Sequence, residues 1–255
     1  MHYTRLEQSS AAFNKMMEKF GIVTVMNAYV FSTDELLRQA DEGKTITAGL
    51  LTNGFDKYTA DQICNILAEE AKKTTHDAAY LCKLDTLKTS NITEEGPTKT
   101  VTGGQNSSPL LKFGKTARLE MQDALGNAEA LEALGGMTVE YVGSLGGTKI
   151  ALHAGDTFSG PRTILGESFF IDQATGAQVD VYILIYQFLP DSIFNLTQDA
   201  EGDATVFDMN GDLIATGIQL GTKDGSDGTA KEYQVRNVFY SICDKNHNHE
   251  KEAAV

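Results

Sequence analysis

Apolar residues recur at helical spacing in the first part of the chain and at every second position beyond it. Over residues 3–20, Leu6, Phe13, Met16, Met17 and Phe20 stand among charged positions, which predicts an amphipathic helix stopped by Gly21. A short apolar run, Ile22 to Val30, follows. Ser32 with Glu35 three positions later forms a capping-box pattern, predicting a helix through about Asp41 with Gly43 as its left-handed stop. Thr59 with Gln62 repeats the pattern ahead of Ile63, Ile66, Leu67 and Ala71, predicting a helix to about Lys73. The first 75 residues therefore read as mainly helical.

At Tyr80 the period changes to two, with Tyr80, Cys82 and Leu84 on one face of a strand and Lys83 and Asp85 on the other. Strands are predicted at Thr98–Gly104, Leu110–Met121, Met137–Gly143, Thr148–Gly155, Glu167–Asp172 and Val179–Leu189, mostly bounded by Gly or Asp/Asn turns. Val179–Leu189 is apolar at nearly every position, the pattern of a central strand covered on both faces. One helix interrupts the series, with Asn127 as N-cap, Leu131 and Leu134 on one face, and Gly135 and Gly136 as its stop. Asn210-Gly211 reads as a type I′ hairpin turn, and Glu232–Ile242 as a last strand. The expected organisation is a helical extension over residues 1–78, a β domain over 79–243 and a polar tail over 244–255. The fold class is α+β and mainly β.

Composition narrows the partners. The 255 residues carry a formal net charge of −14, so the surface repels nucleic acid and anionic membranes. Specific nucleic-acid binding and membrane attachment are not expected. Cys64, Cys82 and Cys243 have neither CxxC spacing nor the density of a disulfide framework, which predicts free, buried thiols. The first residues lack the apolar run of a signal peptide, and nowhere do 18 uncharged apolar residues occur together, so synthesis in a cytoplasm is expected.

The search for chemistry returns little. GSLGGT at Gly143–Thr148 is glycine-rich, but it lacks the lysine of a phosphate loop and is followed by a strand pattern, so it reads as a hairpin turn. Asp244, Asn246 and Asn248 mimic the opening of a calcium loop, yet the sixth position is His249 and the twelfth is Val255. His247 and His249 have no third ligand nearby in sequence. His153 falls on the opposite face of its strand from Ile150 and Leu152, a surface or interface position. No GxSxG elbow marks a nucleophile. No catalytic, metal or cofactor site is expected, and the protein reads as a non-enzyme. Carboxylates crowd Asp199, Glu201, Asp203, Asp208 and Asp212, which forms either a solvated acidic face or the lining of a passage along which a polyanion slides without sticking.

Three stretches, DTLKTSNITEEGPTKTVTGG, FGKTARLEMQDALG and FLPDSIFNLTQDAEGDATVFDMNGDLIA, resemble the tail tube proteins of bacteriophages and phage tail-like particles. The resemblance covers roughly residues 80–242. It implies a small β-barrel or sandwich flanked by one helix, six copies closing into a ring, and rings stacked into a tube in the virion tail. On that likeness the excursion from Thr89 to Ser108 is the loop by which one ring grips the next, with Thr89, Ser90, Asn91, Glu94, Glu95, Thr98, Lys99, Thr100, Gln105 and Asn106 as candidate contacts. Glu201, Asp203, Asp208 and Asp212 are then candidates for an acidic lumen through which DNA passes. The implied partners are further copies of the chain and, beyond them, a sheath or other tail proteins.

Residues 1–75 precede the matched region and have no counterpart in compact tube proteins. A polar loop of this length also cannot bury enough apolar surface to order itself alone, which points independently to a partner. Two other readings are open: a capsid or head–tail connector subunit, and a glycan-binding β module in which Tyr182, Tyr186, Phe188, Phe194 and Phe207 form a sugar platform.

Overall fold

Antiparallel pairing dominates the molecule. In the computed structural model, the structure describes residues 22–41, 44–85, 87–96, 98–100, 110–112, 114–123, 127–143, 147–156, 158–171, 178–191, 207–224 and 231–245. The chain runs β1 (Ile22–Ser32), α1 (Thr33–Leu36), a 3-10 turn (Phe55–Lys57), α2 (Ala60–Ala71), β2 (Tyr80–Leu84), β3 (Leu87–Glu95), β4 (Thr98–Thr100) and β5 (Leu110–Lys112). There follow β6 (Thr116–Asp123), α3 (Ala128–Gly135), β7 (Met137–Val142), β8 (Thr148–Ala154), β9 (Arg162–Ile171) and β10 (Gln178–Pro190). The last elements are β11 (Phe207–Leu213), β12 (Thr216–Asp224), β13 (Lys231–Val238) and β14 (Tyr240–Asp244).

Eight strands make one sheet in the order β2-β1-β9-β10-β11-β6-β3, with β14 also pairing β10. β4–β5, β7–β8 and β12–β13 are separate two-stranded ribbons. The fold is thus mainly β with few helices. β10 is the central strand its apolar run predicts: it pairs β9 along one edge and β14 and β11 along the other, and Val181 to Tyr186 are all buried.

Period-two alternation divides the core into two layers. On one face Phe31, Leu165, Tyr182, Leu184 and Tyr186 pack with Leu36, Leu51 and the α2 residues Ile63, Cys64 and Leu67. On the other, Val30, Ile164, Ile185 and Phe188 pack with Leu119, Met121 and the α3 residues Ala130, Ala133 and Leu134. Burial of each such Leu, Ile or Phe contributes about 1.5–3 kcal/mol, which is what orders short elements that propensity alone would not. The three cysteines are free and buried, as their scatter predicts.

The two ends of the sheet meet through one bent run of chain. β2 pairs β1, and β3, beginning three residues after β2 ends, pairs β6 at the far end of the strand order. Side chains of β1, β2, β6, β9, β10 and β11 accordingly share a single cluster, with Leu87 and Ile92 of β3 against it.

Several helical expectations need correction. Residues 22–32 are strand: β1 lies between β2 and β9, with Asn27 opposite Glu167 and Val30 opposite Ile164. Phe31 packs on one of its faces and Ala28 and Val30 on the other, and a short apolar run does not by itself distinguish a buried strand from a helix segment. β1 is therefore bonded into the same sheet as the chain beyond Tyr80, α1, the Phe55–Lys57 turn and α2 contribute to one core cluster with it, and the change of period at Tyr80 marks a new strand. The helix expected over residues 3–20 lies outside the described residues, as does the tail from residue 246.

The helix at Ser32 is a single turn. Ser32 Oγ accepts from the Glu35 N–H as the capping pattern requires, but the Leu36 carbonyl receives the Leu51 N–H at 2.8 Å instead of continuing the helix. At Thr59 both halves of the capping box form, and α2 follows. Asn127 caps α3 through the Ala130 N–H at 2.6 Å, and Gly136, at φ 66°, ends it.

Three β expectations also change. Asn210-Gly211 is no turn: β11 runs straight through it, with Asn210 opposite Glu120 and Gly211 opposite Leu119. Glycine is needed there because a Cβ would lie 2.2 Å from the Leu189 carbonyl oxygen. The strand expected over 232–242 is two, since β13 pairs β12 and β14 pairs β10. The excursion expected as a loop from Thr89 is strand through Glu95, while Thr98–Thr100 is strand as the pattern at Thr98–Gly104 predicts. Threonine and isoleucine at alternate positions suit a pleated surface even where the flanking residues are polar.

Candidate assembly interface

Leu87–Thr100 and Leu110–Asp123 make one long hairpin. Pairing runs from Leu87 opposite Asp123 to Glu95 opposite Thr116, and resumes with Thr98 opposite Lys112 and Thr100 opposite Leu110. The nine residues of β3 span roughly 30 Å at about 3.3 Å each, and the three of β4 roughly 10 Å. The base is covered: Leu119, Met121 and Ala117 are buried and Ile92 packs against them, while β4 and β5 pair only with each other among the described residues.

The outward face of the base is polar by alternation. Register places Thr89, Gln122 and Asp208 in one row, Asn91, Glu120 and Asn210 in the next, and Thr93, Arg118 and Asp212 in the third. Three carboxylates and one guanidinium share this face. Gln122 donates to Asp208 at 2.9 Å, and Arg118 donates to Asp212 at 3.2 Å and to the Asp191 carboxylate. Asp212 therefore stands with one oxygen engaged by a cation and most of its side chain in solvent.

This geometry brings together part of each residue set expected from the sequence. Asn91, from the expected grip, lies on β3 across β6 from Asp208 and Asp212 of β11, from the expected lumen set. Ser90 and Glu94 point to the other side of β3. Glu94 accepts from Lys115 at 2.8 Å, and that hydrogen bond, against a smaller burial effect, holds its carboxyl below the usual range. Its charge is thus occupied within its own subunit. Glu95 is exposed opposite Thr116, and Thr98, Lys99 and Thr100 form the strand of the distal ribbon. Gln105, Asn106, Glu201 and Asp203 lie outside the described residues.

No group of three or more His, Cys, Asp or Glu side chains among the described residues is arranged to hold a metal ion. No described helix is long and apolar enough to cross a membrane. Of the aromatics considered as a sugar platform, Tyr182, Tyr186 and Phe188 are buried, with the Tyr186 hydroxyl donating to Ser241 Oγ at 2.7 Å, Phe207 is half-buried, and Phe194 lies outside the described residues. His153 is on the surface, 3.1 Å from Glu140. Sequence reasoning found the β7–β8 hairpin with its glycine turn, where Gly143 adopts φ 96°, and missed β12, the partner strand of β13.

No model of a known protein family matches the chain, and no curated protein matches it significantly.

Proposed function

We propose that the protein is a structural subunit that assembles with copies of itself into rings, and that the rings stack as the tail tube of a phage or phage tail-like particle, with an acidic lumen through which DNA passes. The observation that carries the reading is the long hairpin over residues 87–123. A ribbon of two strands is marginal in water when nothing packs on it, so an arm that extends beyond its own sheet is built to be covered by a neighbour. The bent run of β2 and β3 supports a barrel-like closure of the sheet, the architecture the resemblance implies. The polar face of β3, β6 and β11 supports a lumen wall, since three carboxylates against one guanidinium repel a passing polyanion.

In this assembly the arm inserts against the adjacent ring, and the row of Asp208 and Asp212 faces the channel. Burial of the three strand aromatics weighs against the glycan-binding alternative, and no observation favours a capsid or connector subunit over a tube.

Deleting residues 94–106 tests the assignment of the arm. The variant should keep the far-ultraviolet circular dichroism and cooperative unfolding of the parent, and should form rings but no tubes under negative-stain electron microscopy. Full-length tubes from the variant would refute the role of the arm. A parent that stays monomeric at high concentration, even when nucleated, would refute the reading as a whole.

A further inference from the structure

α2 and β14 stand near opposite ends of the described chain, yet they pack on each other. On α2, Asp61 and Cys64 are three positions apart and share one side of the helix, the side on which Cys64 and Leu67 are buried against the sheet. On β14, Cys243 is the one fully buried position and lies opposite Tyr182 of β10. Both cysteines belong to the cluster that also holds Leu67, Tyr182, Leu184 and Tyr186.

Within that cluster the two thiols meet. The Cys243 side chain is hydrogen-bonded to that of Cys64 and also to that of Asp61. Hydrogen bonding to Cys64, and after it burial, push the Cys243 thiol well above its ordinary value, so it holds its proton while β14 is packed. Cys82 is the contrast: it is buried in the cluster of the opposite face, where the charged groups around it are Glu129, Arg162 and Asp123.

β14 also offers a way in. It is five residues long, four of its positions are half-buried, and among the described residues it pairs only with β10. A short strand with one neighbour opens locally at lower cost than β9 or β10, which lie inside the sheet. A small oxidant reaches the pair through such openings without unfolding the protein.

We propose that Cys64 and Cys243 are a redox pair that closes into a disulfide when the folded protein meets an oxidising thiol buffer, stapling α2 to β14. The co-reactant is a small disulfide such as oxidised glutathione. One cysteine thiolate attacks a glutathione sulfur, the glutathione S–S bond breaks, and one glutathione leaves as thiolate. The second cysteine thiolate then attacks the protein sulfur of the mixed disulfide and expels the other glutathione. Two electrons pass from the cysteine pair to glutathione, and the two thiol protons end on the two glutathione thiolates. The new bond closes a ring of about 180 residues, and the restraint it places on the unfolded chain grows with ring length. It also ties the last strand of the sheet to a helix made early in the chain. The bond belongs to a single subunit and forms whether or not subunits assemble. In a tail particle it would form after the subunits leave a reducing cytoplasm, and that use alone rests on the function proposed above.

The test is made on the full chain, reduced, freed of reductant and held folded with oxidised glutathione at about pH 8, where an ordinary thiol is partly ionised. The count of free thiols, read after denaturation, should fall from three to one. Peptide mapping by mass spectrometry should find the Cys64 and Cys243 peptides joined and Cys82 free. The melting temperature should rise by about 10 °C and fall back on addition of dithiothreitol. Cys82→Ala should keep this response and Cys64→Ala should lose it; should Cys64→Ala fail to fold, the peptide map of the parent decides. Three free thiols after prolonged incubation would overturn the inference, as would a link through Cys82, glutathione left on both cysteines, or a joined pair with no gain in melting temperature. None of these results bears on whether rings or tubes form, so the pair and the assembly reading stand or fall separately.

Discussion

Glu167 sits where three strands and the end of a fourth converge. It lies between Asn27 and Tyr182 in register, accepts from Asn27 Nδ2 at 3.1 Å and from Lys245 Nζ at 2.7 Å, and Lys245 in turn stands 5.3 Å from the centre of the Tyr182 ring. Burial penalises the charged carboxylate, but the hydrogen bonds from Lys245 and Asn27 outweigh it and hold the carboxyl below its ordinary 4.5. A carboxyl whose pKa is lower folded than unfolded contributes stability above the unfolded value and loses it as pH falls through the folded one. Glu167→Gln should therefore cost stability at pH 7 and narrow the gap to the parent below pH of about 4, as read by urea unfolding across pH. A constant gap down to pH of about 3 would show that the carboxylate is not the source.

At the scale of elements, Gly211 shows how one residue decides a strand pairing. A Cβ there would meet the Leu189 carbonyl oxygen at 2.2 Å and Phe188 Cε2 at 2.7 Å, both from β10, so β11 approaches β10 only as glycine. Gly211→Ala is expected to destabilise the protein by about 3 kcal/mol in denaturant titration, since backbone cannot yield as a flexible side chain does. A loss within error of zero would mean the two strands separate freely.

The same residue marks a limit of legibility. Asn210-Gly211 carries the local chemistry of a turn, and tertiary packing overrides it. Where local signals and packing agree, the sequence sufficed: the caps at Thr59 and Asn127 and the apolar run of β10 all read correctly. Where an element is defined by partners distant in the chain, as β1 is by β9, periodicity alone was ambiguous, and the polar strand β3 carried a composition indistinguishable from a loop. Of the residues singled out beforehand, Asn91, Asp208 and Asp212 share a face because β6 lies between their strands, a pairing no spacing in the sequence reveals.

For the whole molecule, charge sets the terms of association. Copies carrying −14 repel one another. Raising ionic strength from about 10 to 150 mM shortens the screening length from about 30 to 8 Å, which weakens this long-range repulsion more than any short-range apolar contact. Ring and tube formation should accordingly be promoted by salt over that range, measured by light scattering at fixed protein concentration. Assembly strongest at the lowest salt would indicate that opposite charges, not apolar surface, dominate the contact.

The placement of β1 has a further consequence for the time course of synthesis. Asn27 meets Glu167 across a separation of 140 residues, and β10 gains its last neighbour only from Tyr240–Asp244. A nascent chain can pair β1 with β2 early, but the other edge of β1 waits for β9, and such long closures slow folding. The sheet is thus complete only once Tyr240–Asp244 has been made. Chains shorter than that present an unfinished sheet, which keeps assembly from beginning on them.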